Sequence, residues 1–189
     1  MEGAFKLNKS IIKVIDLIKE IKALIVSKAE LKGLSCSIEV EEDVPKQINC
    51  DLRRVQQLLL NIGFNAVKYT FKGSIRIKFY LNKSKSYFCT NITDTGIGMS
   101  ESDLERINKL FGLIDKKLAQ YQTRIGIGLI ISKHIVNAME GKLIFRSKQN
   151  TGTICKIKLP LSLLLNSVQY PKSNIKIAGD CIEESSKVS

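Results

Sequence analysis

"NIGFNAVKYT", Asn61–Thr70, closes a longer run that opens at Asp51 and reads DLRRVQQLLLNIGFNAVKYT. Pro45 breaks the chain upstream, and Asp51 stands where a helix N-cap belongs, so the pattern predicts a helix from there to Tyr69. On that helix Asn61 and Asn65 lie one turn apart, Lys68 follows three residues later and Tyr69 comes one beyond it. Two amides, a cation and an aromatic ring therefore share or border one face. A helix that only packed a core would not set such groups side by side, so this face asks for a ligand.

Working outward, apolar residues at Ile11, Ile12, Val14, Ile15, Ile18, Ile21 and Ile25 predict an amphipathic helix that runs on to Lys32 and stops at Gly33. "LSCSIEVEE" alternates Leu34, Cys36, Ile38 and Val40 with polar partners, the pattern of a half-buried strand. Downstream, "SIRIKFYL" and "YFCTNITD" read as a hairpin. Ser102–Phe111 reads as a short helix, and Gly112–Arg124 has weak periodicity and is expected to be mobile. A helix is predicted from about Gly126 to Met139, closed by Gly141, and "KLIFRS" and "TICKIKL" form two last strands ending at Pro160. This order predicts an α+β fold: a two-layer α/β sandwich with a mixed, mostly antiparallel sheet of about five strands and helices on one face. One domain is expected over residues 1–160, with 161–189 as a C-terminal tail or linker.

Composition narrows the class. With 189 residues, no Trp and few aromatics, the core must be aliphatic. No apolar run approaches the roughly 20 residues that span a bilayer. The opening MEGAFKLNKS lacks the apolar stretch of a secretory signal. A soluble, cytoplasmic domain is expected, even where a longer parent is membrane-attached. The cysteines at 36, 50, 89, 155 and 181 form no C-x-x-C pair, which argues against a disulfide framework and against a zinc site. A net charge of +12 invites nucleic acid, yet the lysines are spread along the chain in no block of like charges, without interleaved aromatic platforms. No nucleic-acid partner is expected.

Two further motifs carry chemistry. In "DTGIGM", Asp94–Met99, glycines flank Ile97 directly after a strand, so the backbone can approach a ligand closely. Asp94 would accept hydrogen bonds from an exocyclic amine, which favours adenine over guanine. In "RIGIGLIISK", Arg124–Lys133, Gly126 and Gly128 open a helix whose free N–H groups can face an anion. Each motif alone is a weak signal.

Together, in this order and spacing, they resemble the ATP-binding catalytic domain of sensor and hybrid histidine kinases, within the GHKL superfamily of ATPases and its Bergerat-type fold. The resemblance runs from about Phe5 to Pro160 and implies ATP and Mg²⁺ as ligands. It gives Asn65 the metal-binding role, Lys68 a phosphate contact and Tyr69 a place beside the adenine. Asp94 resembles the adenine-reading acid, with Gly96, Ile97 and Gly98 as its loop. Gly126, Gly128 and Leu129 resemble the triphosphate-side loop, and Thr153 occupies a strand position near the base edge. Asn61 stands where hydrolytic cousins carry a glutamate base; an amide has no basic form for that task, so slow hydrolysis is implied, unless Asn61 is a plain exposed or capping amide.

Two departures stand out. Arg124 fills a position the family usually gives to glycine, where it would impair the loop, be tolerated, or touch phosphate. The chain's single histidine, His134, falls on a helix surface and does not match a phosphoacceptor. The acceptor is therefore expected on a histidine-bearing dimerisation or phosphotransfer domain, in cis or in trans, with a response-regulator receiver domain downstream. The chain is then a fragment of a longer kinase, an enzyme half or a nucleotide-sensing remnant. Residues 99–126 would form an ATP lid, with Phe111 as a lid phenylalanine or a core residue. The implied function is transfer of the γ-phosphoryl of Mg-ATP to a protein histidine; the alternatives are a non-catalytic nucleotide-binding regulatory module and a basic polyanion binder.

Overall fold

The computed structural model describes residues 7–115 and 126–165. β1 (Ser10–Lys13), α1 (Val14–Glu30), β2 (Ser35–Val40) and β3 (Gln47–Cys50) lead into α2 (Leu52–Tyr69). Then come β4 (Ser74–Leu81), β5 (Tyr87–Asp94), α3 (Glu101–Asp115), α4 (Ile127–Ala138), β6 (Lys142–Lys148), β7 (Gly152–Pro160) and α5 (Leu161–Leu165). Five strands form one sheet in the order β2-β4-β5-β7-β6. Only β2 and β4 run parallel; the other neighbours are antiparallel. The expected two-layer sandwich is what forms.

Strand alternation divides the sheet into a buried and an exposed face. Ile75, Ile77, Phe79, Phe88, Ile92, Ile157 and Leu159 point into a core shared with the helices. From α1 the core takes Leu17, Ile18, Ile21 and Ile25; from α2, Val55, Leu58, Leu59 and Ile62. Ile21 and Ile25 are fully buried, so truncating either to Ala costs about 2–5 kcal/mol. The two helices pass close enough that a Cβ on Gly63 would lie inside Ile25.

Asp51 caps α2 as expected: one carboxylate oxygen accepts from the Arg54 N–H at 3.1 Å, the other from the Asn8 N–H at 2.9 Å. Three boundaries differ from expectation. Ile11 and Ile12 belong to β1, where they pair with Asn49 and Ile48 of β3, so α1 starts only at Val14. β-branched pairs of this kind satisfy a short ladder as readily as a helical turn. α3 runs past Phe111 to Asp115, so the segment expected to be mobile begins helical; residues 116–125 lie outside the described part. Beyond Pro160, α5 buries Leu161 and Leu164 against the core, so packing continues into the stretch read as tail. Residues 166–189 are not among those described.

Candidate nucleotide site

α2, the β5 end, α3 and the start of α4 surround one cavity of about 950 Å³. This is in the range of small-molecule sites. From α2 it takes Ile62, Asn65, Ala66 and Tyr69, the i, i+3, i+4, i+7 face of the helix. The Asn65 amide faces the cavity with no hydrogen bond among the described residues. Lys68, one residue off that face, is exposed and does not line the cavity; its Nζ lies 5.0 Å from the centre of the Tyr69 ring. The end of α2 is fixed from outside by Lys32, whose Nζ donates to the carbonyls of Val67 at 2.7 Å and Lys68 at 2.8 Å. A cation at a helix C-terminus also suits the helix dipole.

Asp94 ends β5 between Ile75 of β4 and Thr153 of β7. Burial raises the pKa of its carboxyl above the usual carboxylate value, against the opposing pull of the Gly96 and Thr153 backbone N–H groups. The Gly96 N–H donates to Asp94 Oδ1 at 2.9 Å. The following loop is pinned on both sides. The Ile97 N–H donates to the Tyr69 carbonyl at 3.1 Å, and the Ile97 carbonyl accepts from the Asn150 N–H at 2.6 Å. The Met99 N–H donates to Ser147 Oγ at 2.8 Å, and Ser147 Oγ in turn donates to the Gly152 carbonyl at 2.9 Å. Thr153 Oγ1 lies 2.9 Å from the same Ser147 hydroxyl. The acceptor at the cavity floor is thus held by a network that needs no ligand.

Gly126 and Leu129, at the head of α4, also line the cavity. Gly128 faces α2 instead: its carbonyl accepts from Asn61 Nδ2 at 3.2 Å and from Ser132 Oγ at 2.8 Å. Asn61 is therefore a bridge between α2 and α4 and does not itself line the cavity. Arg124 lies outside the described residues. Phe111 packs in the core against Phe145, ring centres 6.0 Å apart, with Lys133 Nζ 5.4 Å from its ring centre. His134 is exposed on α4, as its motif position implies.

The charged cavity residues that sequence reasoning missed all lie on α3: Asp103, Arg106 and Lys109. Their i, i+3, i+6 spacing is the only signal that could have singled them out. They bring two cations and a carboxylate to the cavity lining, so a ligand with an anionic end meets charge there. The donors also suit a hard divalent cation held mostly by its substrate. No cluster of His, Cys, Asp and Glu is present among the described residues, but magnesium needs only one or two protein oxygens when phosphates and water complete its shell. The Asn65 amide oxygen is such a donor.

More than half of the chain, residues 50–163, matches the family described as histidine kinase-, DNA gyrase B- and HSP90-like ATPase. The signal transduction histidine-protein kinase BarA of Escherichia coli (strain K12) is 32% identical over 163 residues, covering 85% of this chain and 18% of BarA. The autoinducer 2 sensor kinase/phosphatase LuxQ of Vibrio harveyi is 30% identical over 164 residues, covering 85% of this chain and 19% of LuxQ. The chain thus spans under a fifth of the length of these relatives. In fold it resembles full-length ShkA, with a TM-score of 0.69 at 24% identity, over 84% of this chain and 32% of ShkA. It also resembles the catalytic domain of histidine kinase ThkA, with a TM-score of 0.65 at 20% identity, over 82% of this chain and 96% of that domain. On the strength of that family match, and with a fold shared with these structures, this chain belongs to the histidine kinase-, DNA gyrase B- and HSP90-like ATPase family.

Proposed function

We propose that the chain is the catalytic ATP-binding domain of a two-component histidine kinase, which binds Mg-ATP and passes its γ-phosphoryl to a histidine on another domain or chain. The observation that carries this reading is the convergence of Asn65, Tyr69, Asp94, Gly98, Gly126 and Leu129 on a single cavity. ShkA, a structural neighbour, was determined in complex with AMPPNP, which supports a nucleotide as the ligand.

In this reading Asp94 accepts from the adenine amine, and Tyr69, Ile97 and Thr153 flank the base. Gly126, Gly128 and Leu129 open α4 toward the phosphates. Magnesium, held by Asn65, would neutralise triphosphate charge, the main demand in phosphoryl transfer. Lys68 reaches phosphate only by leaving the Tyr69 ring, a rotamer change open to an exposed lysine. Asn61 acts as the residue that withholds a base: its amide nitrogen is committed to the Gly128 carbonyl, and it has no basic form to activate water. Weak intrinsic ATPase activity follows. Because His134 sits on the α4 surface, the acceptor is a supplied histidine-bearing domain, and a receiver domain takes the phosphoryl onward. A reducing, ATP-supplied cytoplasm fits the free thiols.

The displaced Lys68 is what favours the second reading, a nucleotide-binding module without transfer. Calorimetric titration with Mg-ATP tests the site: Asn65→Ala and Asp94→Ala should each weaken binding at least ~10-fold, the size of a lost charged hydrogen bond. Unchanged affinity in both removes the assignment. Phosphoryl transfer from labelled ATP to an added histidine-bearing hairpin domain then separates kinase from module.

A further inference from the structure

Lysines that are spread evenly along the chain are gathered by strand alternation onto the sheet face opposite the helices. β4 presents Arg76 and Lys78 outward, β7 presents Lys156 and Lys158, and β6 presents Lys142, Arg146 and Lys148. The register places these side by side. Lys142 stands directly opposite Lys158, Ile144 opposite Lys156, and Arg146 opposite the exposed Ile154. Neighbouring strands lie about 4.8 Å apart and same-face residues about 6.8 Å apart, so the charges form a lattice rather than scattered points.

The two halves of this face differ in how the charge is met. At the β2 edge, Glu39 pairs with Arg76 at 3.3 Å and Glu41 with Lys78 at 2.8 Å. Outward positions of β5, β6 and β7 carry no carboxylate at all, and among the described residues Lys142, Arg146, Lys148, Lys156 and Lys158 have none within ion-pair reach. Two lysines held directly across a ladder repel each other and cost stability, a local conflict that the fold alone does not require.

We propose that the β6–β7 half of the outer sheet face docks a protein partner presenting carboxylates, which would do there what Glu39 and Glu41 do at the β2 edge. Nucleic acid fits less well, because the tyrosine rings that bases would stack on are covered: Tyr80 by Lys78 and Lys156, Tyr87 by Lys158 at 4.5 Å. A flat bilayer fits less well, because a five-stranded sheet twists by about 20° per strand and only part of it can touch a plane. The apolar tips of Ile144 and Ile154 among the cations give a protein partner a desolvated centre inside a polar rim. This surface lies on the far side of the sheet from the nucleotide cavity, so its use does not depend on the proposed function.

Two variants with equal loss of charge make the test. One removes Lys142, Arg146, Lys156 and Lys158 by Gln substitution; the other removes Lys13, Lys19, Lys22 and Lys46, exposed on the helical side of the molecule. Binding is measured by fluorescence anisotropy with a labelled poly-glutamate peptide, and in parallel with a single-stranded oligonucleotide and with phosphatidylserine-containing vesicles. The face variant should bind the peptide at least ~5-fold more weakly than wild type, while the helical-side variant stays within ~2-fold. Circular dichroism should show both folded, with the face variant melting no lower than wild type because the Lys142–Lys158 repulsion is gone. Equal losses in both variants would reduce the effect to net charge, and face-dependent binding of the oligonucleotide or vesicles but not the peptide would name another partner class. Either result overturns the proposal, as does a wild-type protein that ignores the peptide.

Discussion

The two glycine loops of the cavity look alike in sequence and are built on opposite terms. In the loop after β5, a Cβ on Gly96 would lie 2.3 Å from the Tyr69 carbonyl oxygen, and one on Gly98 would lie 2.0 Å from that of Lys148. Gly98 also has a φ of +62°, which side chains with a Cβ resist. At the head of α4, by contrast, a Cβ on Gly126 would meet nothing within 4 Å, and its φ of −55° is open to any residue. Gly128 faces only the Asn61 amide at ordinary contact distance. The fold itself demands glycine in the loop after β5. At the head of α4 it does not, so glycine there answers to a ligand or to a different backbone arrangement. One end of the site is prebuilt by the fold; the other is not.

The sharpest way to break this contrast is Gly98→Ala. Left-handed strain and overlap with a backbone carbonyl together cost about 2–4 kcal/mol, since neither side can yield cheaply. In a domain of this size that lowers Tm by roughly 5–15 °C, measured by calorimetry. A Tm within a degree or two of wild type would mean the loop after β5 is looser than its hydrogen bonds indicate.

Next in size is the anchor between α3 and α4. Asp115 closes α3 and accepts from Lys133 Nζ at 2.9 Å and Asn137 Nδ2 at 2.8 Å, both on α4. Burial pushes its carboxyl up, but the hydrogen bonds from Lys133 and Asn137 outweigh it and pull the pKa below the ordinary value of 3.8. A lowered carboxyl contributes stability that is complete above 3.8 and is lost as pH falls through the folded value beneath it. Asp115→Asn should therefore cost about 0.5–1 kcal/mol at neutral pH, modest because the carboxylate is half exposed, in urea unfolding. The gap from wild type should close in strongly acidic buffer. A gap that stays constant with pH would mean shape, not charge, holds α3 to α4.

Much of this arrangement was legible beforehand, and the exceptions share a cause. Asp51 as a cap, the β4–β5 and β6–β7 hairpins, and the site face of α2 follow from local pattern, because capping and periodicity act within a few residues. What escaped needed distant partners. Ile11 and Ile12 read as helix until β3, about 36 residues on, offers them a ladder. Asn61 reads as a catalytic amide, yet its nitrogen is held by Gly128, a residue 67 positions away. Arg106 and Lys109 look like ordinary surface charges on α3 until the fold swings that helix over the cavity. The basic outer face was hidden in the same way, since even spacing along strands is what concentrates charge on one side.

Gly126→Ala probes the open loop with a smaller effect on stability. Replacing a helix N-cap glycine by Ala changes stability by about 0.5 kcal/mol at most, because the added methyl meets open space. If Mg-ATP affinity nevertheless falls several-fold, the glycine serves the bound state; if affinity and stability both hold, glycine at this position has no role in the site.

The smallest expected change, and the one that most directly sets fold against function, comes from Asp94→Asn. Its carboxyl is raised by burial, so the ionised form costs stability once pH exceeds the folded value, and the cost vanishes below 3.8, where both states are protonated. Asn keeps an oxygen able to accept the Gly96 N–H but carries no charge to bury. The variant should thus melt at or slightly above the wild-type temperature at pH 7 and converge with it in acid, while losing Mg-ATP affinity because an amide reads the adenine amine ambiguously. A clear loss of stability at neutral pH would show instead that the charge itself organises the loop through the Gly96 and Thr153 N–H groups. The prebuilt end of the site would then depend on its own ligand-reading residue, and the contrast with the open end would narrow to a difference of degree.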